Sequence, residues 1–557
     1  MNKKDLFFWI AIITAIVLCR IQYIFMPIID HFEALFSFVT SSVMDGAKLY
    51  EGTFSQRPPL VYLPYHIIFS IFGRNNLFAI HIAALVWAVF IAITVFKMSR
   101  YAFNKSVAYW ATFFFAIFHT TINYDGQNTV PSSPNCMTLN AEFMLLLPLS
   151  VSFYMFLKGI KEKKCSYFVL TGLFCGISAM LHFKVLLYLL FLPIYLVLIS
   201  AVKEKSRPIF AKPFKFTLFI TLGVILGVGV GLLYFSMIGS WPAITKHYSH
   251  QLQVYVGGAQ YLTPQAFKRF FILFSEMMVK HNFLLWFLAF FSSIYSLLSF
   301  LKYCKKRDIS AQNRECDFAY SNLFFSLWLI FSLLTLFLHG ARMFRQYWTL
   351  CFPVVMIIAA YGLYVLKTQV LARDNNKLFW ASKIFLYSFL ILGILVPIYS
   401  THIRGFPLVK KAYGFSKYPI LEYIRKNTEK DDRIFLWGAL YPVYVLSDRI
   451  PASPFVFNAE WFGLIIDVPV RFYEPTKIIW EMFEKRFNEK KPKLIIDPSQ
   501  KNKEPKDTYG PFLWGGGRWK GIPSVTEVLV LKDYVAKDYK FVEEYDGFLI
   551  YKLKEGR

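Results

Sequence analysis

Apolar runs about 20 residues long, separated by short polar loops, occupy most of the first 400 positions. Eleven can be placed: 5–27, 76–98, 106–120, 141–158, 166–182, 184–202, 215–238, 282–302, 321–339, 347–366 and 379–400. A bilayer core of roughly 30 Å needs about 20 residues of α-helix, so this pattern predicts a polytopic helical membrane protein. The third and fifth runs are short. Only His182-Phe183-Lys184 separates the fifth from the sixth, which predicts a tight hairpin. Met1-Asn2-Lys3-Lys4 leads into a long run with no small-residue cleavage site, so the first run reads as a retained helix.

The polar stretches carry their own periodicities. Phe32–Met44 is apolar at helical spacing with Ser and Thr between, which predicts an amphipathic helix on the membrane surface, capped by Gly46. Beyond Pro58-Pro59, the run LVYLPYHIIFSIFG is interrupted by Pro64 and too short to cross, so it predicts a second interfacial helix. Residues 240–281 contain Trp241, His247, Tyr248, His250, Gly257-Gly258 and Tyr261. This composition suits a mobile loop over a substrate, with a plain linker as the alternative. After about residue 402 the chain turns soluble in character. YPILEYIRKNTEKDDR reads as a helix and turn, Arg433–Gly438 and Lys493–Pro498 as strands, and YKFVEEY/FLIYKL as a hairpin about Asp546-Gly547. The expected architecture is therefore a transmembrane domain over 1–402, with a first external loop at 28–75, followed by an external α/β domain over 403–557.

Charge fixes the expected orientation. The chain holds 61 Lys and Arg against 35 Asp and Glu, a net +26. The basic residues cluster in alternate short loops, whereas the loop TINYDGQNTVPSSPNCMTLN (121–140) has none. This is the positive-inside pattern of a multi-pass protein, not a nucleic-acid footprint. It puts the N-terminus in the cytoplasm of a bacterial cell. An odd number of spans then puts the C-terminal region outside, with residues 28–75 and 121–140. The seven cysteines form no CxxC pair, which predicts neither a disulfide framework nor a zinc site.

Several polar residues stand out on the external side. Asp30 and Glu33, three apart, share a helix face and could supply a general base; otherwise they are solvated carboxylates or a helix cap. Arg57 precedes two prolines, and its forked donors suit phosphate. Glu142 opens an apolar helix, where the helix dipole favours an acid. Asp125 lies in Asn123-Tyr124-Asp125-Gly126, a turn sequence. Lys184 breaks the positive-inside trend, by snorkelling or by contacting phosphate. His339, Arg342, Arg345 and Tyr347 concentrate basic and aromatic groups where cations are otherwise scarce. Walker A, GxSxG, HExxH and GxGxxG motifs are absent, which argues against nucleotide chemistry.

In order and spacing these residues resemble the GT-C glycosyltransferases, in particular bacterial relatives of protein O-mannosyltransferases and lipid A aminoarabinose transferases. Phe32-Glu33-Ala34, Met44-Asp45-Gly46, Leu49-Tyr50, Gln56–Leu60 and Ile71-Phe72-Gly73 look like that family's first external loop. Asn140-Ala141-Glu142 resembles its second acidic position, Lys184 its inter-span lysine, and Arg345-Gln346-Tyr347 its late-helix motif. The resemblance implies inverting transfer of a sugar from a polyprenyl-phosphate donor to a glycan, lipid or protein acceptor. In that scheme a first-loop carboxylate acts on the acceptor and basic residues hold the phosphate. The chain departs from the pattern at two points. Phe32 sits where relatives carry an Asp, and Gln56 replaces a metal-binding Glu, so no metal ligand is carried over and a divalent cation stays open. A transporter or a non-catalytic lipid-binding scaffold are the rival readings. The near absence of ionisable residues within spans, apart from Arg20 and His81, argues against the former.

Overall fold

The computed structural model describes residues 2–28, 31–53, 57–120, 137–203, 211–245, 263–275, 282–306, 314–337, 345–370, 377–399, 418–438, 441–455, 477–489, 491–498, 524–527 and 529–555. Its first nine long elements are α1 (Lys3–Ile24), α2 (His31–Met44), α3 (Leu63–Phe72), α4 (Leu77–Ala102), α5 (Lys105–Phe118), α6 (Ala141–Glu162), α7 (Cys165–Ala179), α8 (Leu186–Lys203) and α9 (Ala211–Ile238). Helices Phe283–Lys306, Arg314–Phe337, Phe352–Val365 and Lys377–Ile398 follow. A helix thus occupies each of the eleven apolar runs. Among the described residues eight helices are long and apolar enough to cross a membrane. Four helices start at an asparagine: Asn2, Asn76, Asn104 and Asn140 each accept a hydrogen bond from the backbone three residues on. Each satisfies an amide that the first turn would otherwise leave bare.

The bundle turns its large apolar side chains outward as well as inward. On α9, Phe214, Ile225, Leu233 and Met237 are all more than 60% exposed, the surface expected of a helix facing lipid. The inward face of the same helix is nearly bare. A Cβ at Gly223 would stand 2.0 Å from the Val169 carbonyl oxygen, and one at Gly172 1.9 Å from that of Ile220. Backbone therefore packs on backbone between α7 and α9, the small-residue contact that lets helices associate where lipid supplies no hydrophobic drive. This contact fixes the end of α7, from which the His182–Lys184 hairpin emerges.

The first loop folds differently from the sequence expectation in one respect. α2 is not a surface helix with a wet polar face. Every residue from Glu33 to Ser42 is buried, including Ser37, Thr40, Ser41 and Ser42. Helix Tyr441–Ser447 of the C-terminal region covers it, with Phe38 and Tyr444 ring centroids 5.2 Å apart. Asn75 Nδ2 also donates to Asp448 at 3.1 Å. Periodicity identified the helix but could not show that its polar face is roofed by chain 400 residues away. Gly46, at φ +86°, ends α2 as expected. α3 behaves as an interfacial helix, with Tyr65 and Phe69 buried and Ile67, Ile71 and Phe72 exposed.

Residues 240–281 also differ from a plain loop. Pro264–Ser275 is a helix, and Phe270 and Phe274 lie 5.7 and 5.9 Å from the Trp348 ring. The His247–Tyr261 stretch lies outside the described residues. Beyond residue 418 a five-stranded sheet has the order β2-β1-β3-β5-β4, with β1 Arg433–Leu436, β2 Ile450–Pro451, β3 Leu494–Asp497, β4 Tyr539–Tyr545 and β5 Phe548–Leu553. β1 runs parallel to β2 and β3, and β5 antiparallel to β3 and β4. Asp546 and Gly547 both take positive φ, the geometry of the tight hairpin that their sequence predicts.

Candidate functional site

Two buried carboxylates organise the end of the bundle below α2. Glu142 is the second residue of α6 and is fully buried. Asn140 caps that helix through Phe143 N at 2.8 Å, Tyr65 Oη donates to Leu139 O at 3.2 Å, and Trp87 Nε1 donates to Met144 O at 3.1 Å. The helix start is thereby held from three sides. Arg57 Nη1 lies 3.3 Å from Glu142 Oε1, and His182 Nε2 lies 3.5 Å from the same oxygen.

Arg57 reaches this point because its backbone is steered. Pro58-Pro59 lead into a 3-10 turn over Pro59–Tyr62, and Tyr50 Oη donates to the Arg57 carbonyl at 2.7 Å. Tyr50 itself sits at φ +68°, a conformation bulky residues rarely adopt. The guanidinium then lies on the face of Phe32, 4.7 Å from its centroid. His182 is oriented by its own hairpin. The Lys184 backbone N–H donates to Nδ1 at 3.3 Å, which leaves the ring proton on Nε2, facing Glu142. Burial, and next the positive charge of Lys184, push the His182 pKa down to about 3, so the ring is neutral at working pH.

Lys184 is fully buried, so it does not snorkel. Its ammonium lies 2.8 Å from the centroid of the Tyr347 ring and makes no hydrogen bond among the described residues. Tyr347, itself buried, is presented by the 3-10 turn Arg345–Cys351. A desolvated ammonium on a ring face recovers about 2 kcal/mol, well short of the several kcal/mol lost on leaving water. The charge of Glu142 supplies part of the remainder.

Glu33 heads the second cluster. It is fully buried in the first turn of α2, and its Oε1 lies 2.6 Å from His81 Nε2. His81 Nδ1 lies 2.8 Å from the Ile24 carbonyl oxygen. A carbonyl only accepts, so Nδ1 carries a proton. Arg20, also buried, stands with its Cζ 5.3 Å from the Phe143 ring centroid. His81 and Arg20 were legible in sequence only as ionisable residues inside apolar runs; position within a run was the one available signal. Glu142 thus lies between Arg57, His182 and Lys184.

Glu33, Arg57, Glu142, Lys184 and Tyr347 are therefore gathered at one end of the bundle. Asp30, Asp125, His339 and Arg342 lie outside the described residues, and of Arg345 the backbone alone is placed. Among the described residues no group of three or more His, Cys, Asp or Glu side chains is set to hold a metal ion. Around Glu142 the neighbours are cationic or neutral, a poor donor set for a divalent cation.

Comparison with known proteins bears on this geometry. Residues 56–232, the segment that carries Arg57, His81, Glu142 and Lys184, match the sequence profile of the dolichyl-phosphate-mannose-protein mannosyltransferase family. The whole chain superposes on ArnT from Cupriavidus metallidurans in the apo state, with a TM-score of 0.55 at 12% identity, covering 98% of this chain and 97% of that one. The chain therefore shares its overall fold with that protein. The chain is also similar to the archaeal oligosaccharyltransferase AglB from Archaeoglobus fulgidus, solved with an inhibitory peptide and a dolichol-phosphate. That match has a TM-score of 0.51 at 11% identity and covers 99% of this chain and 74% of that one. No curated protein sequence matches the chain. The GT-C resemblance drawn from short motifs is thus met by fold and by family profile.

Proposed function

We propose that this protein transfers a sugar from a polyprenyl-phosphate donor to an acceptor on the external face of a bacterial cell membrane, with the sheet-containing C-terminal region on that same side. Lys184 carries the reading. A fully buried ammonium, stacked on Tyr347 and hydrogen-bonded to nothing described, is suited to a phosphate oxygen. The mannosyltransferase-family segment supports the same class of donor.

In the reaction, the acceptor oxygen or nitrogen attacks the anomeric carbon while the bond from that carbon to the phosphate oxygen breaks. A first-loop carboxylate of the Asp30/Glu33 pair receives the acceptor proton. The polyprenyl phosphate leaves with the bonding electrons and a new negative charge, which Lys184 and Arg57 stabilise together with His339, Arg342 and Arg345. Glu142 and His182 hold Arg57 and Lys184 in place. Purified protein in liposomes, given a radiolabelled polyprenyl-phosphate sugar, should release polyprenyl phosphate. Intact donor after long incubation with every acceptor class would refute the reading.

A further inference from the structure

An apolar groove follows α4 along its length. Its upper part, about 670 Å³, passes Leu60, Trp87, Phe90, Pro148 and Phe174. Its lower part, about 720 Å³, is bounded by Trp9, Ile13, Phe96 and Tyr101, and ends at Lys97 and Arg100. Ile93, Lys97 and Tyr154 line both parts, so the two adjoin.

The two cations at its end are notable for what they do not do. Lys97 and Arg100 are both exposed, and neither makes an ion pair or side-chain hydrogen bond among the described residues. The carboxylates nearby are engaged elsewhere: Asp5 with Lys105 at 2.8 Å and with Tyr109, and Glu162 with Lys158 at 3.7 Å. Two more ammonium groups sit over the aromatic rim, Lys161 at 5.0 Å from the Tyr101 centroid and Lys158 at 5.9 Å from that of Tyr154. Tyr and Trp beside Lys and Arg are the composition of a lipid headgroup boundary.

We infer that this groove binds an anionic phospholipid, its phosphate against Lys97 and Arg100 and one acyl chain lying along α4. Charge complementarity selects an anion, and basic pockets between spans on the lysine-rich side recognise anionic headgroups by this chemistry. Dimensions agree. Trp87 to Lys97 is ten residues, about 15 Å of helix, which is half a bilayer core and so the depth of one leaflet. The headgroup end stands apart from the transfer reaction, because its cations lie at the opposite end of α4 from His81, whereas the upper part reaches Leu60 and Leu181, close in sequence to Arg57 and His182. The headgroup end also depends on none of the residues assigned to the donor.

The test uses the full chain in detergent, stripped of lipid and offered equal amounts of phosphatidylglycerol and phosphatidylcholine, with bound lipid read by native mass spectrometry. The expected result is at least a tenfold preference for phosphatidylglycerol, lost in the double variant Lys97→Gln/Arg100→Gln. Both side chains are exposed, so that variant should fold. Ile93→Trp, which fills the groove and spares the cations, should weaken retention of both lipids. Equal retention of the two lipids by the unmodified chain would overturn the proposal. So would an unchanged preference in the double variant, or displacement of bound lipid by free inorganic phosphate alone.

Discussion

The Lys184 ammonium rests 2.8 Å from the centre of the Tyr347 ring, in a site closed to water. Lys184 comes from the hairpin between α7 and α8, and Tyr347 from a turn more than 160 positions later. Their contact ties the family-matched segment to the late bundle at the place where a donor phosphate is proposed to bind. The predictions that follow concern this contact and the two carboxylates below it.

Lys184→Met should raise the KM for donor about 10- to 100-fold, the loss of one charge-assisted hydrogen bond of about 1.5–3 kcal/mol. Thermal stability should be unchanged or higher, because an apolar side chain of similar length replaces an ion that burial disfavours. Initial rates at varied donor concentration decide the first point and unfolding in detergent the second. A normal KM together with a lower melting temperature would make Lys184 a structural residue.

Glu142→Gln should destabilise the protein by about 3–5 kcal/mol, since it strips the counter-charge from Arg57 and leaves Lys184 buried among cations. Adding Lys184→Met should recover part of that loss. Denaturant unfolding of the single and double variants measures both. Simple additivity would mean that the two groups do not share a field.

Glu33 and His81 should behave as one unit. Either Glu33→Gln or His81→Asn alone breaks their contact and leaves a buried polar partner, and the double-mutant cycle should return a coupling of about 1–3 kcal/mol. Transfer activity should fall to a similar extent in all three variants. Full activity in Glu33→Gln would remove this carboxylate from the chemistry.

His182 makes stability depend on pH in a definite direction. Its folded pKa is about 3, against an unfolded value of about 6.5, so the unfolded chain binds the extra proton. Stability from this group is complete above pH 6.5 and is lost as pH falls from there toward 3. Between pH 7 and pH 5 the loss should be about 2 kcal/mol. His182→Asn should flatten that slope in melting temperatures taken across the range. An equal slope in both proteins would mean that His182 is already protonated when folded.

Much of this was readable from residues in line. Helices follow apolar runs because a bilayer admits little else, and asparagines mark where four of them begin. The β4–β5 hairpin follows from Asp546-Gly547, since few dipeptides tolerate positive φ twice. Glu33, Arg57, Glu142, Lys184 and Tyr347 were each identifiable as polar or basic residues placed against the local trend. All of these are short-range signals, set by a residue and its near neighbours.

Partnership was not readable, because it depends on distances between segments far apart in the chain. Only the folded bundle pairs Glu33 with His81 across 48 positions and Arg57 with Glu142 across 85. Only folding seals Lys184 away from water, and only folding lays helix Tyr441–Ser447 over α2. Hydropathy records what one side chain costs in lipid or water. Burial, protonation and the partner of a charge are decided by what packs around it, and that is a property of the tertiary structure.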